Sequence, residues 1–594
     1  MKSIWLMFFI LFPTDGFSAC DCGSTDALVP CTGNTISVTV VAGTPNGGTA
    51  ANSVYNWAFN SGGGDATCGQ FANGDYWIAP AAGQSSVTIT GITTTSPGAI
   101  SADADPVMES MGLLSGTKTY GNYNATENII PNLPVTYSTV TSLVSAIQRN
   151  EVTEGTCGTS AILGNCADSY NVVTVLQSVP VNAGSDMIRP NITGTTKELL
   201  RLADFDFTRV PSKSFLTGTN TAGIESIRQR WSHSIEIFGL YSVNNSVYYS
   251  EGGRAFRSHV LVDDYGGGTA TAWYDDMVVI FSAENTVAEK RPALAAMLTY
   301  GLDLYHAMYD APPGTTRYWG SGATQHPGKF IPAVLLGAFA KSSTYANNLK
   351  TAASQVHVST NSGPHELSQL MRGVNGVVWG DISTFVGSYI EGAYWEDLHT
   401  AQCYDGAVGP CSEAVGKKTL QDPYHFIDGP PPRPGSSYMQ SSLGVQRSLV
   451  AMMFLMPEIC EIVNYDDIVE YVGRIESSGV KTANDPCVTP DSRENPTTCD
   501  AYRNTGCLYY KVTWGPDPAN PGSCIKTPTP PYTKVGRFAA IDGATVGMAY
   551  TSFQVENNWE TIMALRGTTP PSGGGTAHRT NGLGNLIFGT GTLY

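Results

Sequence analysis

The spacing of apolar residues changes near residue 220, and this change limits what the chain can fold into more than any single motif does. Upstream, runs such as TISVTVV (35–41) and SVTITGIT (86–93) alternate apolar and polar residues between turn signals such as PNGG and SPG. A period of two places alternate side chains on one face of a strand, so residues 20–210 read as an all-β domain of many short strands. Downstream the period lengthens to about 3.6. IESIRQRWSHSIEIF puts Ile224, Ile227, Trp231 and Ile235 on one helical face. NTVAEKRPALAAMLTYGLDLYHAMY opens on a capping box, Thr286 with Glu289 three residues on, and carries Leu294, Met297, Leu298, Gly301, Leu302, Tyr305 and Met308 on its apolar side. FIPAVLLGAFA, HELSQLM, LGVQRSLVAMMFLM and YDDIVEYVGRI continue the series.

The expected fold is therefore multidomain, α and β. An all-β N-terminal domain is followed over 211–484 by layered helices of the α/α-bundle or α/α-toroid kind, whose glycine- and proline-containing loops build a cleft at one rim. Residues 485–535, with Cys487, Cys499, Cys507 and Cys524 among prolines, read as a disulfide-stapled excursion, and 536–594 as the remaining helical part and a C-terminal cap. At 594 residues the chain is long enough for two or three cores.

The opening MKSIWLMFFILFPTDGFSAC has the order of a secretory leader, a lysine, an apolar run and small residues, which places the leader at 1–19 and the mature protein outside the cytoplasm: secreted, periplasmic or at the cell surface. No other stretch of about 20 apolar residues offers a transmembrane segment. Thirteen cysteines suit an oxidising compartment, with Cys403 and Cys411 or Cys157 and Cys166 spaced to close short loops. The odd count leaves one thiol over, or consumes Cys20 as a lipid anchor. No CxxC pair recurs at zinc spacing, so no structural zinc is expected. A net charge of -17, without a basic stripe interleaved with aromatics, excludes nucleic acid as a partner.

Four stretches gather reactive side chains in glycine-rich surroundings. EGGRAFRSHVLVDDYGGGTATAWYDD (251–276) holds Arg254, Arg257, His259, Asp264, Tyr265, Trp273 and Tyr274 around a Gly-Gly-Gly hinge. RYWGSGATQHPGKF (317–330) holds Trp319, His326 and Lys329. GAYWEDLHTAQCYDG (392–406) holds Trp395, Glu396, Asp397 and His399 just after Glu391, and DPYHFIDGPPPRPGSSYMQ (422–440) holds Tyr424, His425, Arg433 and Tyr438. Aromatic rings beside polar groups suit a saccharide, because rings stack on sugar faces while charged groups fix hydroxyls and carboxylates. Each stretch also has a plainer reading: His326 as a helix N-terminal residue bonded to its own backbone, and the Arg254 to His259 group as a solvated turn. GQFANGDYWIAP (69–80) reads either as a packed hairpin or as a stacking platform. Asp303 and His306, one turn apart, read either as a structural hydrogen bond or as a dyad.

FANGDYW, LTYGLDLYHAMY followed by HPGKF, SSYMQSSLGVQRSLVAMMFLMPE, YDDIVEYVGR and VTWGPDP together resemble a group of secreted bacterial proteins that pair an all-β module with an α/α-toroid, similar to polysaccharide lyases of the heparinase and alginate lyase type. The resemblance covers most of the chain and implies β-elimination at a uronic acid of an anionic polysaccharide. That reaction needs a base for the C5 proton, a group that neutralises the carboxylate and an acid for the leaving oxygen. On this chain it implies His326 as base or carboxylate neutraliser, Tyr265 as acid, and Arg257 with His259 as carboxylate clamp. Arg254, Trp273, Tyr274, Trp319, Lys329, Trp395, His399 and Tyr438 would contact substrate. Calcium is the one metal it brings in, as a carboxylate holder; Asp263 with Asp264 offers oxygens for it, without an EF-hand-like loop. Two other readings stand beside the lyase. One is an α/α glycoside hydrolase drawing a carboxylate pair from Asp264, Asp276, Glu391, Glu396 and Asp397. The other is a non-catalytic carbohydrate-binding surface protein.

Overall fold

The computed structural model describes residues 34–41, 52–106, 125–148, 167–216, 223–234, 266–309, 325–357, 437–463, 514–516, 524–526 and 552–565. Nine strands come first: β1 Thr35–Val40, β2 Ser53–Asn60, β3 Thr67–Gln70, β4 Tyr76–Ala79, β5 Val87–Thr94, β6 Ile100–Ala104, β7 Val135–Tyr137, β8 Thr141–Gln148 and β9 Ala167–Val175. Helices follow: α1 Ile224–Ser232, α2 Gly266–Phe281, α3 Val287–Tyr309, α4 Gln325–Phe339, α5 Ser343–His357, α6 Ser437–Leu455, α7 Pro457–Val463 and α8 Phe553–Met563. Between the last two, β10 Trp514–Pro516 pairs antiparallel with β11 Cys524–Lys526. The change of period near 220 thus marks a change from sheet to helix.

The strands form two sheets, ordered β1-β2-β5-β7 and β3-β4-β9-β8-β6, antiparallel except where β4 runs parallel to β9. Between them lies a core that includes Val38, Trp57, Phe59, Ile78, Leu143 and Val173. The first sheet keeps the alternation its sequence promises: β1 reads exposed, buried, exposed, buried, and Ile36, Val38 and Val40 point inward. The second sheet is buried on both faces. Val144 and Ala146 on β8, and Tyr170, Val172 and Thr174 on β9, are as inaccessible as their inward-facing neighbours.

The covering layer is the strap 176–216, irregular except for short 3-10 turns, which runs from the end of β9 toward the helices. Trp77 on β4 packs with Phe71, Leu176 and Met187, and its indole N–H donates to the Ala183 carbonyl at 2.9 Å. That approach requires glycine nearby: a Cβ on Gly69 would stand 2.4 Å from the Trp77 ring, and one on Gly184, where φ is +85°, 2.6 Å from it. Ser142 Oγ on β8 donates to the Asn191 carbonyl of the strap at 3.0 Å.

One side chain joins the layers. Arg189, on the strap, donates from Nε to Asp75 Oδ2 at 2.7 Å, beside β4, and from Nη1 and Nη2 to Asp303 Oδ1 and Oδ2 at 3.0 and 2.6 Å, on α3. Its Nη1 also reaches the Pro190 carbonyl, and the Ile192 N–H donates to Asp303 Oδ1 at 2.9 Å. All three charged groups are buried, so every lone pair and proton they match replaces water.

The helical core is continuous, running from Trp231 through α2, α3, α4 and α6 to Trp559 on α8. The Thr286–Glu289 capping box is present, with the Thr286 N–H donating to Glu289 Oε2 at 2.7 Å and the Glu289 N–H to Thr286 Oγ1 at 3.3 Å. Gly301 on α3 meets the backbone of α4, where a Cβ would come within 2.3 Å of the Pro332 carbonyl oxygen. Two expectations are corrected. The Gly266–Gly268 run is the first turn of α2 and not a hinge. Asp303 bonds to Arg189 and Ile192, so it pairs with neither nitrogen of His306 as read from their spacing.

Among the described cysteines, Cys68 on β3 is disulfide-bonded and Cys460 on α7 is a buried thiol. Cys460 is thus a thiol outside any disulfide. Cys20, Cys157, Cys166, Cys403, Cys411, Cys487, Cys499 and Cys507 lie outside the described residues, as does most of 485–535.

Arg189→Met leaves two buried carboxylates without their cation and is expected to cost about 3–5 kcal/mol, read as a lowered urea midpoint. Gly301→Ala must push α3 off α4 and is expected to cost about 1–3 kcal/mol in the same assay.

Candidate functional site

The strap also delivers a group of proton-exchanging side chains that opens to solvent. Glu198, three residues before the strap turns away at Arg201, lies between the last turn of α3 and the first turn of α5. One carboxylate oxygen accepts from the Tyr345 hydroxyl, and the other lies 3.5 Å from His306 Nε2. Tyr305 completes the group. Its ring stands edge-on to Tyr345 at 5.0 Å and to the His306 imidazole at 5.4 Å, and its hydroxyl accepts from Asn348 Nδ2 at 2.7 Å. His306, Tyr305 and Tyr345 are buried, whereas the Glu198 side chain is 35% exposed and forms the open edge.

Local sequence explains the placement. His306 lies in the last turn of an apolar helix, which carries it to the end where the strap passes. Ser342 supplies the cap of α5, its Oγ accepting from the Thr344 N–H at 3.3 Å, which fixes Tyr345 one residue on. Electrostatics then divide the roles. The His306 imidazole, 3.5 Å away, holds the Glu198 carboxyl below its usual range, against the opposing effect of burial and with help from Tyr345. Burial first, and the adjacent Glu198 next, push the Tyr345 phenol far up, so it stays a donor at any physiological pH. A carboxylate that orients an imidazole beside a phenol held protonated is an arrangement for moving protons.

The residues expected from sequence are placed differently. Trp273 and Tyr274 are fully buried on α2, and Trp273 packs against Trp231 at 4.5 Å and Tyr300 at 5.7 Å in the helical core. Neither ring has a face to offer a sugar, so both are corrected from substrate contacts to core residues. Lys329 is buried in α4, one turn after His326, and His326 lies in that helix's first turn. Tyr438 lies in the first turn of α6. Tyr265, Arg254, Arg257, His259, Trp319, Trp395 and His399 lie outside the described residues.

Of the carboxylates available to a hydrolase, Asp276 is buried and committed, accepting from Arg230 Nη1 at 2.6 Å and Trp231 Nε1 at 2.8 Å. Asp263, Asp264, Glu391, Glu396 and Asp397 lie outside the described residues. FANGDYW forms the hairpin between β3 and β4 with Trp77 buried, as its packed reading holds. Among the described residues no three His, Cys, Asp or Glu side chains gather around a metal position, and no helix is long and apolar enough to cross a membrane. Comparison with known protein families, curated proteins and solved structures returns no match.

Because the folded state favours the Glu198 anion, the carboxylate's contribution to stability is present above its unfolded pKa and is lost as pH falls through its lowered folded value. The stability difference between the parent protein and Glu198→Gln is therefore expected to be full at about pH 6 and to close toward about pH 3. Denaturant midpoints across that range check it, and a difference independent of pH would show that the carboxylate is not held as described.

Proposed function

We propose that this chain is a secreted polysaccharide lyase that cleaves a uronic-acid polysaccharide by β-elimination, with its helical part completing an α/α-toroid. The observation that carries the reading is the Glu198–His306–Tyr345 group, which brings a carboxylate-oriented imidazole and a protonated phenol to one partly open edge. Imidazole and phenol are the group types that elimination needs. His306 removes the C5 proton, the C4–O bond breaks as the C4–C5 double bond forms, and the phenol of Tyr345 or Tyr305 protonates the departing oxygen. Glu198 serves as the positioning residue that holds the imidazole in place.

The disulfide at Cys68 supports an oxidising compartment, in line with the leader-like opening. Arg257 and His259 remain the proposed carboxylate clamp and His326 with Tyr265 the alternative proton-transferring pair; calcium remains the proposed auxiliary ion. The commitment of Asp276 takes one of five carboxylates from the hydrolase reading, Asp264, Glu391, Glu396 and Asp397 lying outside the described residues, and the burial of Trp273 and Tyr274 takes two substrate contacts from the lyase reading.

The test is a panel of uronic-acid polysaccharides followed by ultraviolet absorbance of the 4,5-unsaturated product and by reducing-end formation. His306→Ala and Tyr345→Phe are each expected to lower the absorbance rate by about 10²-fold or more. Loss of activity in His326→Ala and Tyr265→Phe, with His306→Ala unaffected, would move the chemistry to the other pair. New reducing ends without absorbance would overturn elimination.

A further inference from the structure

The strap carries a short sequence pattern of its own. Asn191, Ile192 and Thr193 form Asn-x-Thr, the acceptor pattern for N-linked oligosaccharide in exported chains, and Asn124-Ala125-Thr126 and Asn244-Asn245-Ser246 are the other two instances in the sequence. At Asn191 the fold closes the acceptor. The side chain is fully buried, and its Nδ2, the atom that would carry the sugar, donates both hydrogens, to the Thr193 carbonyl at 2.9 Å and the Thr196 carbonyl at 2.8 Å. Its Oδ1 accepts from the Glu198 N–H at 3.1 Å, and its backbone carbonyl accepts from Ser142 Oγ on β8 at 3.0 Å and from Lys197 Nζ at 2.9 Å.

Modification cannot be reconciled with that arrangement. Transfer joins the anomeric carbon of a lipid-pyrophosphate-linked oligosaccharide to Nδ2; the bond to the pyrophosphate oxygen breaks, the pyrophosphate leaves as an anion and Nδ2 gives up one hydrogen as a proton. A substituted Nδ2 keeps one hydrogen for two buried carbonyls, and a buried acceptor left unmatched is costly. The oligosaccharide must also occupy the layer where the strap lies on β8. The acceptor is nevertheless open until its neighbours are tied down, because the Ile192 N–H is held by Asp303 Oδ1, 111 residues further along the chain.

We propose that Asn191 is an N-glycan acceptor in the unfolded chain and that a glycan there keeps the strap from closing, so that folded protein forms only from chains left bare at this position. An export route that lacks the transferase leaves every chain competent to fold, whereas one that has it divides the chains into two populations. Modification also reaches the Glu198 edge, whatever reaction that edge performs, because the Glu198 N–H is held by Asn191 Oδ1.

The test expresses the full chain behind the host's own leader in a eukaryotic cell that attaches N-glycans, and maps glycopeptides at Asn124, Asn191 and Asn244 separately. Glycan at Asn191 is expected in retained, protease-sensitive protein and not in secreted, protease-resistant protein. Thr193→Val removes the acceptor pattern and little else, because Thr193 Oγ1 is buried with no hydrogen-bond partner among the described residues. It is expected to raise the secreted, protease-resistant yield at least about twofold over the parent, whereas Thr193→Ser, which keeps the pattern, is not. Thr193→Val made in a bacterial host without the transferase should match the parent's Tm, which separates an effect of the glycan from one of the substitution. Secreted, protease-resistant protein glycosylated at Asn191 would overturn the proposal, as would the absence of glycan at Asn191 from both fractions, or a Thr193→Val yield no higher than the parent's at an unchanged Tm.

Discussion

Arg189 is the constraint from which the rest of the structure follows. A guanidinium buried without partners would be far more costly than any apolar residue in its place, so its two carboxylates must arrive in register. Asp75 closes the β3–β4 hairpin and Asp303 lies on the central face of α3, and both are 114 residues from the arginine, on opposite sides of it in the chain. Satisfying both fixes the second sheet against the helical core through a strap that has almost no regular structure of its own. The planar fork of arginine suits this position: two parallel bonds to Asp303 set an orientation that a lysine ammonium would leave open.

The same strap then decides where the reactive groups lie. Once Arg189 and Ile192 bind Asp303, the strap must pass along α3, and Lys197 is drawn into a cage made by Asp105 and the carbonyls of Asn191 and Ile192. Its neighbour Glu198 is thereby turned toward His306 and Tyr345. The candidate site is thus a by-product of how two layers are joined, built from the last turn of one helix, the first turn of another and a loop held by buried charges.

Much of the architecture was legible in the sequence because it depends on local periodicity. The alternation in β1, the apolar stripe of α3 and the Thr286–Glu289 cap each depend on residues a few positions apart. The site was not legible, because Glu198 and Tyr345 meet across 147 residues and no short-range pattern marks their pairing. Trp273 and Tyr274 illustrate the opposite error. Three glycines before them suggested a loop, yet burial of the aromatic face against Trp231 and Tyr300 outweighs the low helix propensity of glycine at the start of α2. Likewise Asp303 and His306, close along one helix, were each claimed by distant partners.

The double-sided burial of the second sheet has a further consequence for how such a chain is made. On a ribosome the strands of both sheets emerge before any helix, and the face of β8 and β9 that carries Val144, Ala146, Tyr170 and Val172 waits for a cover that is synthesised later. Arg189 meets Asp75 early but must remain half-matched until α3 has been made. The sheets close locally, but the β half is not a separate folding unit. Its outer face is covered by the strap that follows β9 directly, but its central charge is completed only by Asp303, 114 residues beyond Arg189, and until then the buried guanidinium is half-matched.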